Sequence, residues 1–493
     1  MVREVVTEAQ APPATRPNMK DGKVTHPDMM NANLVKAEYA VRGELYNRAQ
    51  DLAKEGKEVI YTNVGNPQNL GQQPLTFNRE VLALLLAPQL LEHSQVANMF
   101  PAEAIARAKK LLAGFGGRMG AYTDARGIQP IREEVAAFIT ARDGHAADPE
   151  NIFLTDGASV GVKFALQALI RDASDGILCP IPQYPLYSAT ITMLGGQLVP
   201  YYLDEAADWD INLESLRAAL ADARARGLTV RAMAFINPGN PTGQVLDAAN
   251  LADIVKFAHE EGLMLLADEV YQANIYQDDK PFVSARKVMY DLGEPYASSV
   301  ELASFHTVSK GILGECGLRG GYVEWLNLHP GGLAELYKTA SINLCPNTVG
   351  QATVSLMVNP PPRDGAAGAA YWAQHDESLA SLRRRAHVMT DAFNGLEGVT
   401  CNFTEGAMYS FPRLHLPARA VEAAKAAGKA PDTFYCLELL QATGIVTVPG
   451  TGFGQVPGTF HLRTTILPQE DVISHFVDKL RAFHEEFMAK YRD

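Results

Sequence analysis

Apolar residues recur at helical spacing through Leu34, Val35, Tyr39, Val41, Leu45 and Leu52, which predicts a helix over 34–60. Asn63-Val64-Gly65-Asn66-Pro67 breaks that pattern, and a second helical stretch is expected from about Asn78 to Leu91. From about residue 150 short apolar runs alternate with helical ones. Asn151–Thr155 reads as a strand that turns through Asp156-Gly157-Ala158-Ser159 into a helix over Val160–Ile170. Gly176–Cys179, Val230–Ile236, Leu263–Ala267 and Leu302–His306 read as further strands, with a helix over Ala249–Glu260 between two of them. Strands alternating with helices indicate an α/β fold with a mostly parallel central sheet flanked by helices.

Asn359-Pro360-Pro361-Pro362-Arg363-Asp364-Gly365 punctuates the chain as a hinge. A long helix over about Tyr371–Leu396 follows it. Hairpin-like runs at Tyr409–Leu414, Ile445–Val448 and Thr459–Leu467 and a last helix from about Glu470 suggest a smaller α+β domain. The expected division is an arm over 1–33, a helical segment over 34–92 that contributes to the smaller domain, a large domain over 93–365 and the small domain over 366–493.

Composition narrows the classes. With 493 residues, 47% hydrophobic and 20% charged, the chain has the balance of a globular protein with room for two or three domains. A net charge of −13 argues against non-specific nucleic-acid binding. No apolar run approaches the roughly 18 residues that suggest a membrane span. Cys179, Cys316, Cys345, Cys401 and Cys436 lack metal-ligand spacing, so no metal site is expected, and their odd number favours a reducing compartment. Cys316 reads as a small buried filler. The Pro- and Thr-rich residues 1–27 hold Glu4 and Glu8 and resemble neither a secretory signal nor a transit peptide. The last residues, Lys490-Tyr491-Arg492-Asp493, form no peroxisomal tripeptide. A cytoplasmic location is expected, with the mitochondrion left open.

The residues with chemistry fall at the C-terminal ends of the expected strands, the edge where open parallel sheets bind ligands. Lys310 stands in Val308–Tyr322, a run with five glycines, hydroxyls beside the lysine and Arg319 nine residues on. A lysine amine there can form a Schiff base and the arginine can hold an anion, which suits the aldehyde and phosphate of pyridoxal phosphate. Ala158 and Ser159 open a helix and can hold a phosphate or serve as an ordinary cap. Tyr184, among Pro180, Pro182 and Pro185, can face a flat ring or simply pack. Asn237-Pro238-Gly239-Asn240-Pro241-Thr242-Gly243 is a tightly specified turn that would project Asn240 at a strand end. Asp268 follows a buried apolar strand and needs a cationic partner, unless it only starts a helix; Tyr271 lies three residues on. Arg463, in a C-terminal strand, wants a carboxylate from a ligand or from the protein itself. Gly450-Thr451-Gly452-Phe453-Gly454 imitates a dinucleotide fingerprint but lies far from any N-terminal βαβ unit.

Taken in order, Gly65, the Tyr122 loop, Ser159, Tyr184, Asn240, Asp268, Tyr271, Lys310, Arg319 and Arg463 resemble a fold-type-I pyridoxal-phosphate aminotransferase, from about residue 34 to the end. Leu70-Gly71-Gln72-Gln73-Pro74, Asp156-Gly157-Ala158-Ser159, Ile181-Pro182-Gln183-Tyr184-Pro185-Leu186-Tyr187, Gly314-Glu315-Cys316-Gly317 and Glu405-Gly406-Ala407-Met408-Tyr409 are similar to segments of its alanine aminotransferase branch. The resemblance implies pyridoxal phosphate in the large domain, with Lys310 as the Schiff-base lysine. It implies Asp268 at the pyridine nitrogen, Tyr271 and Asn240 at the phenolate oxygen, and Tyr184 against the ring. Ala158, Ser159, Ser309 and Arg319 would hold the phosphate with help from Thr307. Arg463, beside Gly65 and Asn240, would bind the substrate carboxylate. It further implies a homodimer in which Tyr122 reaches the partner's site.

The implied reaction is ping-pong transfer of the amino group from L-alanine to 2-oxoglutarate, giving pyruvate and L-glutamate. A glutamate–glyoxylate aminotransferase of the same branch is the near alternative. A lyase such as 1-aminocyclopropane-1-carboxylate synthase is more distant, as is a non-catalytic regulator, which would need a basic DNA-binding element. Arg118 and Arg126, in the loop 114–127, are candidates for the second carboxylate of glutamate, or are simply solvated loop arginines. Where the branch has an aromatic residue after Ser-Lys-Gly, this chain has Ile312-Leu313, with an expected effect on the pocket wall or the dimer contact.

Overall fold

The computed structural model describes residues 19–21, 23–39 and 43–492. A short strand, β1 (Ile60–Tyr61), precedes a seven-stranded sheet. That sheet contains β2 (Ile152–Thr155), β3 (Asp175–Ile181), β4 (Gln197–Tyr202), β5 (Thr229–Ile236), β6 (Met264–Asp268), β7 (Leu302–Thr307) and β8 (Gly321–Leu326). Their order across the sheet is β2-β8-β7-β6-β5-β3-β4. All neighbouring pairs from β4 to β7 are parallel, and β8 runs against both β7 and β2. The α/β fold with a mostly parallel sheet is as the alternating pattern implied.

Successive residues of the inner strands enter opposite cores. Cys179, Ala234 and Leu266 join one cluster, while Leu178, Met233 and Leu265 join the other. A sheet covered on both faces needs such continuous apolar strands. Only the last residue of β6 is charged, so Asp268 is delivered to the sheet edge from a fully buried strand. The register aligns the neighbouring ends, with Ile236 opposite Asp268 and Asp268 opposite Phe305. The reversed β8 starts at that same edge, because Gly321 pairs with both Thr307 and Thr155. Arg319, just before β8, therefore meets the residues that leave β2 and β7.

Local chemistry sets the helix ends. The helix Ala248–Glu261 begins where the Asp247 side chain accepts from the Asn250 N–H and ends at Gly262 in the left-handed region. The helix expected over 34–60 is two pieces, Ala32–Lys36 and Glu44–Lys54, with extended backbone at Ala37 and Gly43 starting the second. Leu45 and Leu52 are buried, whereas Leu34, Val35 and Tyr39 are exposed, and Val41 lies outside the described residues, as do residues 1–18 of the expected arm. The stretch expected to reach Leu91 ends at Leu86, and Pro88 opens a separate 3-10 turn.

The segment 34–92 is also divided in its packing. Glu44–Lys54 and β1 join the C-terminal elements, through the helix Pro431–Thr443 and a parallel pairing of β1 with Ile445–Val446. The helix Thr76–Leu86 instead packs on Ala102–Gly114, in a core shared with Ile131, Val135 and Leu154. Its apolar face fits that helix rather than the smaller sheets. Near the C-terminus, β9 (Val399–Thr400) pairs with β11 (Arg413–Leu414). A separate sheet has β14 (Leu462–Thr465) between β10 (Tyr409–Ser410) and β13 (Val448–Pro449), while β12 (Ile445–Val446) stays with β1. The expected runs at 409–414 and 445–448 are thus each split between two sheets. The long helix spans Ala366–Asn394 and the last one Glu470–Tyr491. Among the described residues no helix is long and apolar enough to cross a membrane.

Candidate active site

The strand ends and the C-terminal sheet enclose a cavity of about 290 Å³. Gly65, Ala158, Ser159, Tyr184, Asn240, Asp268, Tyr271, Thr307, Ser309, Lys310, Arg319 and Arg463 all line it, so the sequence-derived set converges on one place, Tyr122 excepted. At one end the helix Ala158–Leu169 points its N-terminus into the cavity. Gly157 caps it at φ +84 without a side chain, which leaves its first N–H groups for an anion. A β-carbon on Gly157 would overlap the Arg319 guanidinium. That guanidinium donates to the Asp156 carbonyl at 3.0 Å and lies 3.5 Å from Ser159 Oγ and 3.3 Å from Ser309 Oγ. Arg319 has φ +52, a conformation that costs a non-glycine residue about 1 kcal/mol or more. Asn347 holds it there by donating to the Arg319 carbonyl at 2.8 Å. A helix N-terminus, two hydroxyls and an arginine on one point could hold a phosphate. Thr307 lines the cavity, but its hydroxyl donates to the Gly320 carbonyl at 2.7 Å and accepts from the Ser309 N–H, so it orients Ser309 rather than offering a proton to an anion.

At the centre, Lys310 Nζ donates to the Gly65 carbonyl at 2.7 Å. A side chain on Gly65 would strike the Tyr409 hydroxyl and press on Nζ, which is why glycine is needed there. Asp268 is 5% exposed. Its Oδ2 accepts from the Tyr187 hydroxyl at 3.0 Å, while Oδ1 has no partner. Burial pushes its carboxyl up to about 6 against the pull of Tyr187, the Val270 N–H and Lys310. A buried, half-satisfied carboxylate is a site for a cationic N–H. The adjacent Glu269 faces away and accepts from Ser304 Oγ and the Ala285 N–H.

Arg463 is 1% exposed. Its guanidinium lies between the Tyr409 and Phe453 rings, 4.5 and 4.6 Å from their centroids. It donates to Asn240 Oδ1 at 3.1 Å and to the Asn63 carbonyl, and Nε has no partner. Burial pulls this guanidinium below its usual value, opposed by Tyr409, Tyr271, Tyr184 and Tyr39. The internal ion pair left open by the sequence is not formed: among the described residues no carboxylate pairs with Arg463. A buried unpaired cation costs several kcal/mol, which a ligand carboxylate would relieve. Arginine only donates, so Asn240 must turn Oδ1 to Arg463 and its NH₂ toward Tyr271, 3.5 Å away.

The sequence model of the aminotransferase class I and II family matches residues 91–480. The chain belongs to that family. This aminotransferase is 58% identical over 464 residues to the glutamate–glyoxylate aminotransferase 1 of Arabidopsis thaliana, covering 94% of this chain and 96% of the relative. It is 54% identical over 474 residues to the alanine aminotransferase 2 of Panicum miliaceum, covering 94% and 98%. A solved alanine aminotransferase from Pyrococcus furiosus superposes with a TM-score of 0.74 at 23% identity, over 93% of this chain and all of the other, and so shares the fold.

The structure adds wall residues that sequence reasoning missed. Tyr409 and Tyr39 line the cavity, Tyr39 by a hydroxyl contact of 2.8 Å with Tyr184, and Tyr187 stands behind the wall, donating to Asp268. Cys316, expected as a filler, lines the cavity with Sγ 2.9 Å from the Ser309 carbonyl. Tyr187 and Tyr409 stand within motifs read from the sequence, but nothing in the order of residues says which tyrosine turns inward. Tyr122 is 78% exposed and outside this chain's cavity. Arg126 is engaged by Asp124 and Glu150, and neither Arg118 nor Arg126 lines the cavity. Ile312 and Leu313 are buried away from the wall, so their departure from the branch pattern does not reach the pocket. The glycine run 450–454 instead supplies Phe453 to Arg463, and Asp432 holds its Thr451. No cluster of three or more metal-ligating side chains occurs among the described residues.

Proposed function

We propose that this aminotransferase is a pyridoxal-phosphate enzyme that transfers the amino group of L-alanine to 2-oxoglutarate. One observation carries the reading: a phosphate cradle, a lysine amine, an unpartnered buried carboxylate oxygen and an unpaired arginine line the same cavity. These fit the phosphate, aldehyde and ring nitrogen of the cofactor and the carboxylate of an amino acid. The 54% identity to a relative that bears the alanine aminotransferase name supports the substrate.

When bound, pyridoxal phosphate supplies an aldehyde carbon for amine exchange and a ring that accepts electrons. Ser159, Ser309, Arg319 and the N–H groups at Ala158 and Ser159 hold the phosphate. Tyr184 packs on the ring. Asp268 Oδ1, which has no partner in the protein, would accept from the ring nitrogen and keep it protonated. Burial raises the Tyr271 phenol well above its ordinary value, so Tyr271 keeps its proton and donates it, together with the Asn240 NH₂, to the ring oxygen. Arg463 binds the substrate carboxylate in a bidentate way and orients the Cα–H bond. Lys310 Nζ is the amine that would form the bond to the cofactor aldehyde and, as a free amine, would take the substrate Cα proton as general base and give it back as general acid. Tyr122, exposed on its loop, completes the phosphate site of a partner subunit in a homodimer.

The test is purified protein assayed with alanine and 2-oxoglutarate beside glutamate and glyoxylate. The expected outcome is a visible absorbance band, higher kcat/KM for the alanine pair, and in Lys310→Ala loss of that band with turnover down about a thousandfold or more. Lys310→Ala turning over at the wild-type rate would sink the reading. The 58% identity to a glutamate–glyoxylate aminotransferase favours that acceptor as a second reading, which a higher kcat/KM for the glyoxylate pair would establish.

A further inference from the structure

Tyr409 is a tyrosine whose ring alone would serve Arg463. The guanidinium sits 4.5 Å from the ring centroid, and a phenylalanine would offer the same face. Its hydroxyl does something else. It lies 3.0 Å from the Tyr271 hydroxyl, with the two rings edge to face at 5.8 Å and 87°. Tyr409 is 2% exposed, and Tyr271 is equally buried. The backbone that presents it is held closely. Ala407 has φ +60, its carbonyl accepts from the Tyr276 hydroxyl, and its N–H donates to the Asn274 carbonyl. Thr404 Oγ1 donates to the Tyr409 carbonyl at 3.1 Å, and Tyr409 pairs with Thr465 two residues from Arg463.

A phenol has one proton. If Tyr271 donates that proton to Tyr409, it has none for a ring oxygen in the cavity. The direction follows when the site is filled: a ring oxygen that accepts the Tyr271 proton leaves Tyr409 as the donor to Tyr271. The Asn240 NH₂ faces Tyr271, since its oxygen is taken by Arg463, and an NH₂ can only donate. The other titratable or charged groups around Tyr271 are Asp268, Tyr184, Lys310 and Arg463.

We propose that Tyr409 is a positioning residue whose hydroxyl donates to Tyr271, so that the single Tyr271 proton is aimed at the ligand's ring oxygen. Hydrogen bonds in such a chain polarise one another and strengthen the terminal donor. The inference rests on the pyridoxal-phosphate reading. Tyr409 would then act on the cofactor's ring oxygen through Tyr271, in addition to packing on Arg463.

The experiment titrates the visible absorbance of the holoenzyme from about pH 5 to about pH 10. It compares wild type, Tyr409→Phe, Tyr271→Phe and the double variant, and records KM for alanine. In Tyr409→Phe the ring on Arg463 is kept, so KM for alanine stays within about twofold while the absorbance midpoint rises by about half a pH unit. In the Tyr271→Phe background the same change produces no further shift, because the path through Tyr271 is already cut. An unchanged midpoint in Tyr409→Phe, or an equal shift in both backgrounds, overturns the proposal. Wild-type protein with no pH-dependent visible band overturns the functional reading itself, before any variant is compared.

Discussion

Asp268 carries two carboxylate oxygens with different surroundings. Oδ2 is held by Tyr187, and Oδ1 has no partner inside the protein. In Asp268→Asn the Tyr187 bond can persist, but the negative charge that the proposed function sets against a ring nitrogen is lost. Single-turnover reaction of the variant with alanine should slow about a hundredfold or more, while KM for alanine changes less than about threefold. Proton transfer at the wild-type rate would remove Asp268 from its assigned role. The sequence placed Asp268 after an apolar strand and so marked it as needing a cation. It could not mark Tyr187 as the second partner, because that tyrosine is brought across by the fold from 81 positions away. Arg463 is the converse case: a protein carboxylate was an open alternative on sequence alone, and only the surrounding tyrosines and Phe453 in the folded chain exclude it.

Among the elements, three helices far apart in sequence are tied by one carboxylate. Glu134, on Gln129–Asp143, accepts from both terminal nitrogens of Arg107, on Ala102–Gly114, at 2.7 Å each. Ser355, on Thr348–Val358, donates to it as well, and Lys110 lies 3.0 Å away. Burial alone would raise the carboxyl, but the bonds from Arg107, Ser355 and Lys110 outweigh it and hold it at about 2. Its folded value is below its unfolded one. The stability it contributes is therefore fully present above about pH 4.5 and is lost as pH falls toward about 2. Glu134→Gln should be less stable by roughly 3 kcal/mol at neutral pH, from the penalty of leaving a mostly buried arginine unpaired. Denaturant unfolding should show the gap to wild type closing below about pH 4.5; a gap independent of pH would mean the carboxylate is not the tie. Element type was mostly legible, because periodicity and caps act locally. The failures have local causes too: extended backbone at Ala37 and Gly43 divides the 34–60 helix, and the run 409–414 is divided because its halves pair with different strands.

For the whole molecule, Tyr122 is the residue of the expected set that its own cavity does not use. If it completes the site of a partner subunit, dimers with Lys310→Ala in one chain and Tyr122→Ala in the other contain one site with both residues intact. Mixing the two inactive homodimers under exchange conditions should recover up to about a quarter of the wild-type activity, since about half of the dimers are mixed and half of their sites are whole. No recovery, with exchange shown by labelled chains, would place Tyr122 outside the site. What the sequence determined by itself was the set of chemical groups and the α/β class, because strand and helix periods are local and glycine, proline and asparagine mark the turns that carry Lys310, Asn240 and Ser159. What tertiary structure decided was which groups share a point: the reversal of β8 returns Arg319 to Ser159 and Ser309, and β14 carries Arg463 to Asn240 from 223 residues away. The reason is physical. Sheet order and register are set by long-range packing and pairing, and the unpaired state of Asp268 Oδ1 and Arg463 is a property of the surroundings that packing creates.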